Sequence, residues 1–409
     1  MQKQTMIRTL LCMAICAAGP APAASPSQFY TYDQAGLALA RQKLAAHDPL
    51  YQPSYRKLIE DADAALGHRR YSVVDKTLAP ASGDKHDFFS FGPYWWPDPA
   101  KKDGLPYIRK DGLHNPAAST EGTDSTRMGR FAHDVKVLAL AWYFSGDRRY
   151  ALKAGELARA WFLAPATRMK PNLDYGQAIP GRVDGRGIGI ITSRSLVDVI
   201  DSLALIQPAD ALSDAENEAV RAWYRAYLQW LLTSRHGFEE GNAHNNHGTF
   251  YSAQVVAYAL YTAQPELARR ELDIVKIRRI PGQIDRDGKL TAELERTRPF
   301  GYLNFALEAF GYLGRYGELT GQQVWERGED GRGIAQGYRF VARYVNGEKW
   351  PYAEIDPKEA TPDAINRHAL PNMLAAARAY QGEPLFADKA RWLLEHYPGQ
   401  LEALLTPLK

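Results

Sequence analysis

Beyond residue 16 the 409-residue chain has no cysteine, since Cys12 and Cys16 are its only two. Disulfides, thiolate metal sites, iron–sulfur clusters and a cysteine nucleophile are therefore excluded from everything downstream. An excess of one charge is missing too: 50 Lys+Arg face 47 Asp+Glu, a net +3. A dedicated nucleic-acid binder would carry a strong basic surplus, so no nucleic-acid partner is expected. A local basic cleft for an acidic substrate remains open, because it needs only a few residues. No apolar run after the N-terminus is long enough to span a membrane. Alternating strand patterns are scarce.

Aromatic residues are plentiful: 9 Trp, 23 Tyr and 14 Phe. Residues 1–24 read as a signal peptide. Lys3 and Arg8 form a basic start, Thr9 to Ala18 an apolar centre, and Ala21-Pro22-Ala23 the small residues of a cleavage site. Export to the periplasm, or secretion, is expected. Residues 25–409 are expected to form one domain and a monomer.

Helical periodicity covers most of that stretch. Apolar residues recur at spacings of three and four over 34–46, 55–65, 129–144, 150–162, 195–205, 213–232, 248–261, 265–275, 302–319, 333–344, 364–380 and 386–395. Short Gly, Pro and Asp breaks join many of these pieces. The layout predicts an all-α fold, an incomplete α/α toroid of helical hairpins. Residues 66–122, 164–190 and 278–300 interrupt the helices. Long irregular segments inside a compact domain usually serve a site, so these are expected to be active-site loops.

Four segments carry chemistry. Phe88-Phe89-Ser90-Phe91-Gly92-Pro93-Tyr94-Trp95-Trp96-Pro97-Asp98-Pro99 holds several rings that either fill the loop's own core or wall a cleft. Tyr94 and Trp95 are the candidate wall. The Lys101-Lys102 and Arg109-Lys110 pairs that follow suggest a lid. The segment from Asn172 to Gly189 (NLDYGQAIPGRVDGRGIG) offers Tyr175, Gln177 and Arg182 to bind carboxylates or hydroxyls. Its glycine spacing fits neither nucleotide fingerprint. The third segment is His244-Asn245-Asn246-His247-Gly248. One Asn suffices to cap a helix, so two Asn and a His exceed that need. An Asn amide can donate to a carboxylate, and a neutral His can accept a proton. A metal reading of His236, His244 and His247 with Glu239 or Glu240 is loose for zinc, and no cofactor or metal is expected. In the fourth segment, Glu293-Leu294-Glu295-Arg296-Thr297-Arg298-Pro299-Phe300-Gly301-Tyr302, either Arg can fork a carboxylate. Tyr302 would open a helix, where the dipole and a nearby Arg lower a phenol's pKa.

Asn, His, Arg and Tyr together are what β-elimination from a uronate requires. The C5 proton lies beside a carboxylate whose charge opposes carbanion formation. Asn and Arg donors neutralise that charge, a base takes the proton, and an acid protonates the leaving O4.

These segments, in this order, resemble the alginate lyase superfamily of polysaccharide lyases. The Asn-His and Arg…Tyr elements resemble family five, and the whole set resembles family thirty-eight, which includes alginate and glucuronan lyases, more closely. The resemblance implies an incomplete toroid with a lid and metal-free cleavage of an anionic polysaccharide. By position it implies Asn246 and Arg296 as carboxylate neutralisers, His247 as neutraliser or base, and Tyr302 as acid or acid and base. The candidate substrate-binding residues are Tyr94, Trp95, Tyr175, Gln177, Arg182, Asn245 and Arg298. Arg296 and Tyr302 stand one residue closer than in family five, so Arg298 stays second to Arg296 as carboxylate partner. Two other classes remain open. A glycoside hydrolase would need paired carboxylates from Asp124, Glu239, Glu240 and Glu293. A polysaccharide-binding protein would need no acid or base.

Overall fold

The computed structural model describes residues 29–409, so the expected leader and both cysteines lie outside the described residues. Helices dominate: α1 Gln34–Ala45, α2 Gln52–Leu66, α3 Ser125–Ser145, α4 Arg148–Ala158, α5 Leu196–Ile206, α6 Asp214–Thr233, α7 Arg235–Gly241 and α8 Asn246–Tyr261. Then come α9 Pro265–Ile274, α10 Ile280–Gln283, α11 Thr291–Leu294, α12 Pro299–Thr320, α13 Ile334–Ala342, α14 Pro362–Ala379, α15 Pro384–His396 and α16 Glu402–Leu405. The fold is all-α, as the periodicity predicts.

Local chemistry sets several boundaries. Ser213 and Glu216 form a reciprocal capping box at the start of α6. Pro299 occupies the first turn of α12, where its missing N–H costs nothing. Gly146 and Gly321, at φ +75° and +74°, stop α3 and α12 in the left-handed region. Single π-turns at Arg159–Leu163 and Val275–Arg279 extend α4 and α9.

Packing contacts lead from α2 to α3, α5, α8, α12 and α14, and return through α16 to α2. Helices α4, α6, α9, α13 and α15 pair with members of that series. This is the order a toroid of hairpins predicts. One apolar cluster runs from Tyr32 to Leu408. Phe131 stacks on Trp161 with ring centroids 4.6 Å apart, and Phe162 meets Trp223 and Tyr224 edge-on or tilted. Each such ring, once buried, contributes roughly 1.5–3 kcal/mol. Helix α8 is buried on nearly every side, only His247 and Leu260 keeping partial exposure.

The three interrupting segments meet one another. Strand β1 (Phe89–Phe91) pairs in parallel with β4 (Tyr175–Ala178), which ties the first segment to the second. Strands β2 (Trp95–Trp96) and β3 (Ile108–Arg109) form an antiparallel hairpin. Its tip carries Lys101 and Lys102, both exposed. The hairpin's far end reaches the third segment, where a Cβ on Gly112 would strike Thr297 Oγ1. The glycines of 185–189 serve close backbone approach: a Cβ on Gly189 would sit 2.6 Å from the Gly176 backbone. Packing, not phosphate binding, explains that run.

Candidate active site

Helix α8 opens the site. Asn245 is its N-cap, its Oδ1 accepting from the His247 N–H at 3.2 Å. Asn245, a candidate substrate-binding residue, spends its acceptor on the helix and keeps its Nδ2 donors for other partners. The next two residues face opposite acids. Asn246 is buried, and it donates its backbone N–H and one Nδ2 hydrogen to the two oxygens of Glu293, at 2.6 and 2.7 Å. Its second Nδ2 hydrogen is uncommitted, and its buried Oδ1 has no partner. His247 Nδ1 lies 2.9 Å from Glu240 Oε1. Glu240, on α7, is 1% exposed. A carboxylate there holds the imidazole proton on Nδ1 and leaves the lone pair on Nε2.

Helix α12 supplies the other half. Tyr302 lies in its first turn, with its hydroxyl 2.5 Å from that of Tyr94. Arg296 Nη2 donates to the same Tyr302 oxygen at 2.9 Å, and the guanidinium also stands 3.8 Å over the phenol ring. Asp111 braces Arg296, accepting from Nε at 3.2 Å and Nη2 at 3.0 Å. Arg109 and Thr297 donate to the same carboxylate. Arg298 makes no bond to Tyr302 and is held instead by Glu359 and the Gly112 carbonyl, at the edge of the same cavity. Of the two arginines left open by the sequence, Arg296 is the one at Tyr302.

The electrostatics correct one expectation. Burial pushes the Tyr302 phenol well above its ordinary pKa, and the bond to Tyr94 adds to this; the Arg296 charge opposes both and loses. At neutral pH Tyr302 therefore keeps its proton. Burial likewise raises the Glu293 carboxyl, against the pull of the Asn246 donors and then the Arg296 charge. Asp111 goes the other way: its burial raises, but Arg296 and Arg109 outweigh it and hold it below the usual carboxylate range.

The aromatic and glycine-rich segments form an adjoining wall. Trp95 has the Arg182 and Arg186 guanidiniums over its ring, at 5.3 and 5.6 Å. Arg182 also donates to the Tyr107 carbonyl at 2.8 Å. Gln177 is nearly buried, and its side-chain oxygen accepts from Arg186 at 3.1 Å. Tyr175 is half-buried in β4 opposite Phe89. Phe88 and Phe89 are buried core rings, so the expected cleft wall begins at Tyr94. A cavity of about 420 Å³ opens in front of Tyr302, bounded by Tyr94, Arg298, Phe305, Arg367 and His368.

Three acids were legible only as generic carboxylates. Glu240 and Glu293 entered as hydrolase candidates, and Asp111 stood in no motif. None is an open catalytic carboxylate here: each grips one of the polar residues above. Asp124 is fully buried against Lys76 and Arg127, and Glu239 pairs with Arg235. The hydrolase reading thus loses its carboxylate pair. Among the described residues, no three His, Asp or Glu side chains gather as metal ligands.

The chain matches known lyases along most of its length. The alginate lyase family profile covers residues 72–350. The crystal structure of an alginate lyase from Bacteroides ovatus superposes with a TM-score of 0.87 at 36% identity, over 93% of this chain and 99% of that one. Alginate lyase A1-III from Sphingomonas species A1 shares the fold at TM-score 0.53 and 16% identity, covering 96% and 100%. A variant of A1-III complexed with a tetrasaccharide aligns at TM-score 0.53 and 14% identity, covering 96% and 99%. No curated protein sequence matches. A family profile that spans more than half the chain, joined by a full-length structural relative, places this protein in the alginate lyase family of polysaccharide lyases.

Proposed function

We propose that the enzyme cleaves 1,4-linked polyuronates, alginate or glucuronan, by β-elimination without a metal, leaving 4,5-unsaturated uronate ends. The observation that carries this reading is the cluster Arg296–Tyr302–Tyr94, set beside Asn246 and His247, with an acid bracing each of Arg296, Asn246 and His247. Arg296 and the free Asn246 N–H neutralise the carboxylate of the reacting uronate, which lowers the cost of the enolate-like intermediate. His247 Nε2 takes the C5 proton. Tyr302, kept protonated by burial, gives its hydrogen to the O4 leaving group. The electrons of the broken C5–H bond form the C4=C5 double bond as the C4–O4 bond breaks. The expected leader supports action outside the cytoplasm.

Ultraviolet absorbance tests the reading on polymannuronate, polyguluronate, glucuronan and a neutral glucan, each with and without chelator. The conjugated product absorbs and a hydrolysis product does not. A rise with at least one polyuronate, unchanged by chelator, is the expected result. New reducing ends without absorbance would make it a hydrolase, and loss of turnover with chelator would sink the metal-free step.

A further inference from the structure

Two cations of the aromatic wall, Arg182 and Arg186, have no anion among the described residues; Arg182 is exposed, and Arg186 is the one drawn into the protein. Arg186, in the glycine-rich segment, is half-buried and makes no ion pair among the described residues. Its Nε donates to the Gln177 carbonyl at 3.0 Å and its Nη2 to Gln177 Oε1 at 3.1 Å. Three of its five N–H donors are unspent.

The surroundings are built to hold it there. Gln177 adopts φ +50°, a left-handed backbone that a non-glycine residue accepts only under constraint. Ser90 Oγ accepts from the Gln177 N–H at 2.9 Å and fixes that geometry, so both Gln177 oxygens turn to the guanidinium. A Cβ on Gly92 would lie 2.7 Å from both Arg186 Nη2 and Trp95 Cδ1, so the missing side chain leaves room for the pair. Burial pulls the Arg186 pKa down to about 10, the Arg109 charge adds to this, and Glu240 partly offsets it. That is the signature of a cation short of a counterion.

Its position gives the ligand. On one side the neighbouring Gly187 packs on the Glu240 backbone, and Glu240 holds His247. On the other stands Arg109, which shares Asp111 with Arg296. Arg186 thus lies between the two halves of the site, yet it touches none of Asn246, Arg296 and Tyr302. A polyuronate carries a carboxylate on every ring, so the ring beside the reacting one also brings a negative charge into the cleft.

We propose that Arg186 binds the carboxylate of the uronate adjacent to the one that loses its proton. This rests on the polyuronate reading above. Wild-type turnover on the polymer panel is measured first; no absorbance change on any polyuronate removes that reading and this inference with it. With an active wild type, Arg186→Gln and Arg186→Lys are compared with it on the cleaved polymer. Losing one charge-assisted contact corresponds to a roughly tenfold to hundredfold weaker complex. Arg186→Gln should raise KM by that factor with kcat within about threefold, and Arg186→Lys should recover part of it. In a Tyr302→Phe background, expected to bind with little turnover, calorimetry with a uronate tetrasaccharide should show the same loss on adding Arg186→Gln. An unchanged KM, or a fall in kcat at constant KM, would overturn the assignment. So would equal losses in both variants with a lowered melting temperature, which would make Arg186 a brace for the Gln177 loop.

Discussion

Asp111→Asn separates the positioning of Arg296 from the attraction of the substrate. Asp111 accepts two bonds from Arg296, one from Arg109 and one from Thr297. Side-chain exposures of 24% for Asp111 and 17% for Arg296 put the pair between a surface bridge and a buried one. Exposed bridges are worth about 0–1 kcal/mol and broken buried ones cost about 3–5. Asparagine keeps one acceptor, so a loss of about 1–2 kcal/mol at pH 7 is expected in denaturant unfolding. The pH dependence has a definite sign. The folded-state pKa of Asp111 lies below its ordinary 3.8, so its stabilisation is present above that value and fades as pH falls through the folded pKa. The gap between wild type and variant should therefore shrink on going from pH 7 to about pH 3. Catalysis should respond differently. A guanidinium freed from its brace loses its aim at the reacting carboxylate, and kcat should fall roughly tenfold. KM should hold or drop, because a negative charge has left a site that receives a polyanion. A higher KM with unchanged kcat would refute Arg296 as the braced donor. A stability gap independent of pH would refute the ion pair as its source.

Tyr302→Phe and His247→Ala should each lower turnover by roughly 100-fold to 10,000-fold, the range of a general acid or base, while calorimetry still finds oligosaccharide binding; unchanged rates in both would remove the site assignment. Tyr94→Phe takes away a bond that raises the Tyr302 pKa, so the alkaline limb of the kcat–pH profile should move to lower pH, and an upward move would contradict the geometry. Gly248→Ala would drive a Cβ into the Ala243 carbonyl and the Arg279 guanidinium; a loss of about 1–3 kcal/mol is expected, and a neutral melting temperature would show that the start of α8 can shift freely.

The helices were legible because their signals are local. The periodic run over 213–232 starts at Ser213, the cap of α6, and α12 begins at Pro299, three residues ahead of the run over 302–319. Helix α7 was missed: Arg235–Gly241 is two turns long, carries two glycines and has no apolar stripe. That omission left Glu240 a candidate metal ligand or hydrolase acid and concealed its hydrogen bond to His247, which crosses the break between α7 and α8. Asp111 was hidden for a different reason. It reaches Arg296 across 185 residues of chain, and such a contact leaves no spacing to read. The Tyr302 pKa was misjudged because the helix start and the arginine are written in the sequence, whereas burial is a property of the assembled site.

The three acids explain how a nearly neutral chain can handle a polyanion. Glu293 holds Asn246, Glu240 holds His247 and Asp111 holds Arg296. Each carboxylate sets the direction of one polar side chain, and Asp111 also offsets the Arg296 charge that would otherwise face the polymer. A site that bound through net charge would grip every uronate alike, product included, and such uniform binding does not raise kcat. Aimed donors act instead where charge develops, at the carboxylate conjugated with C5. The acids behind them make that aim possible and hold the average field low, so that binding along the chain falls to cations outside the braced set. Arg186, uncompensated and held by Gln177, is such a cation.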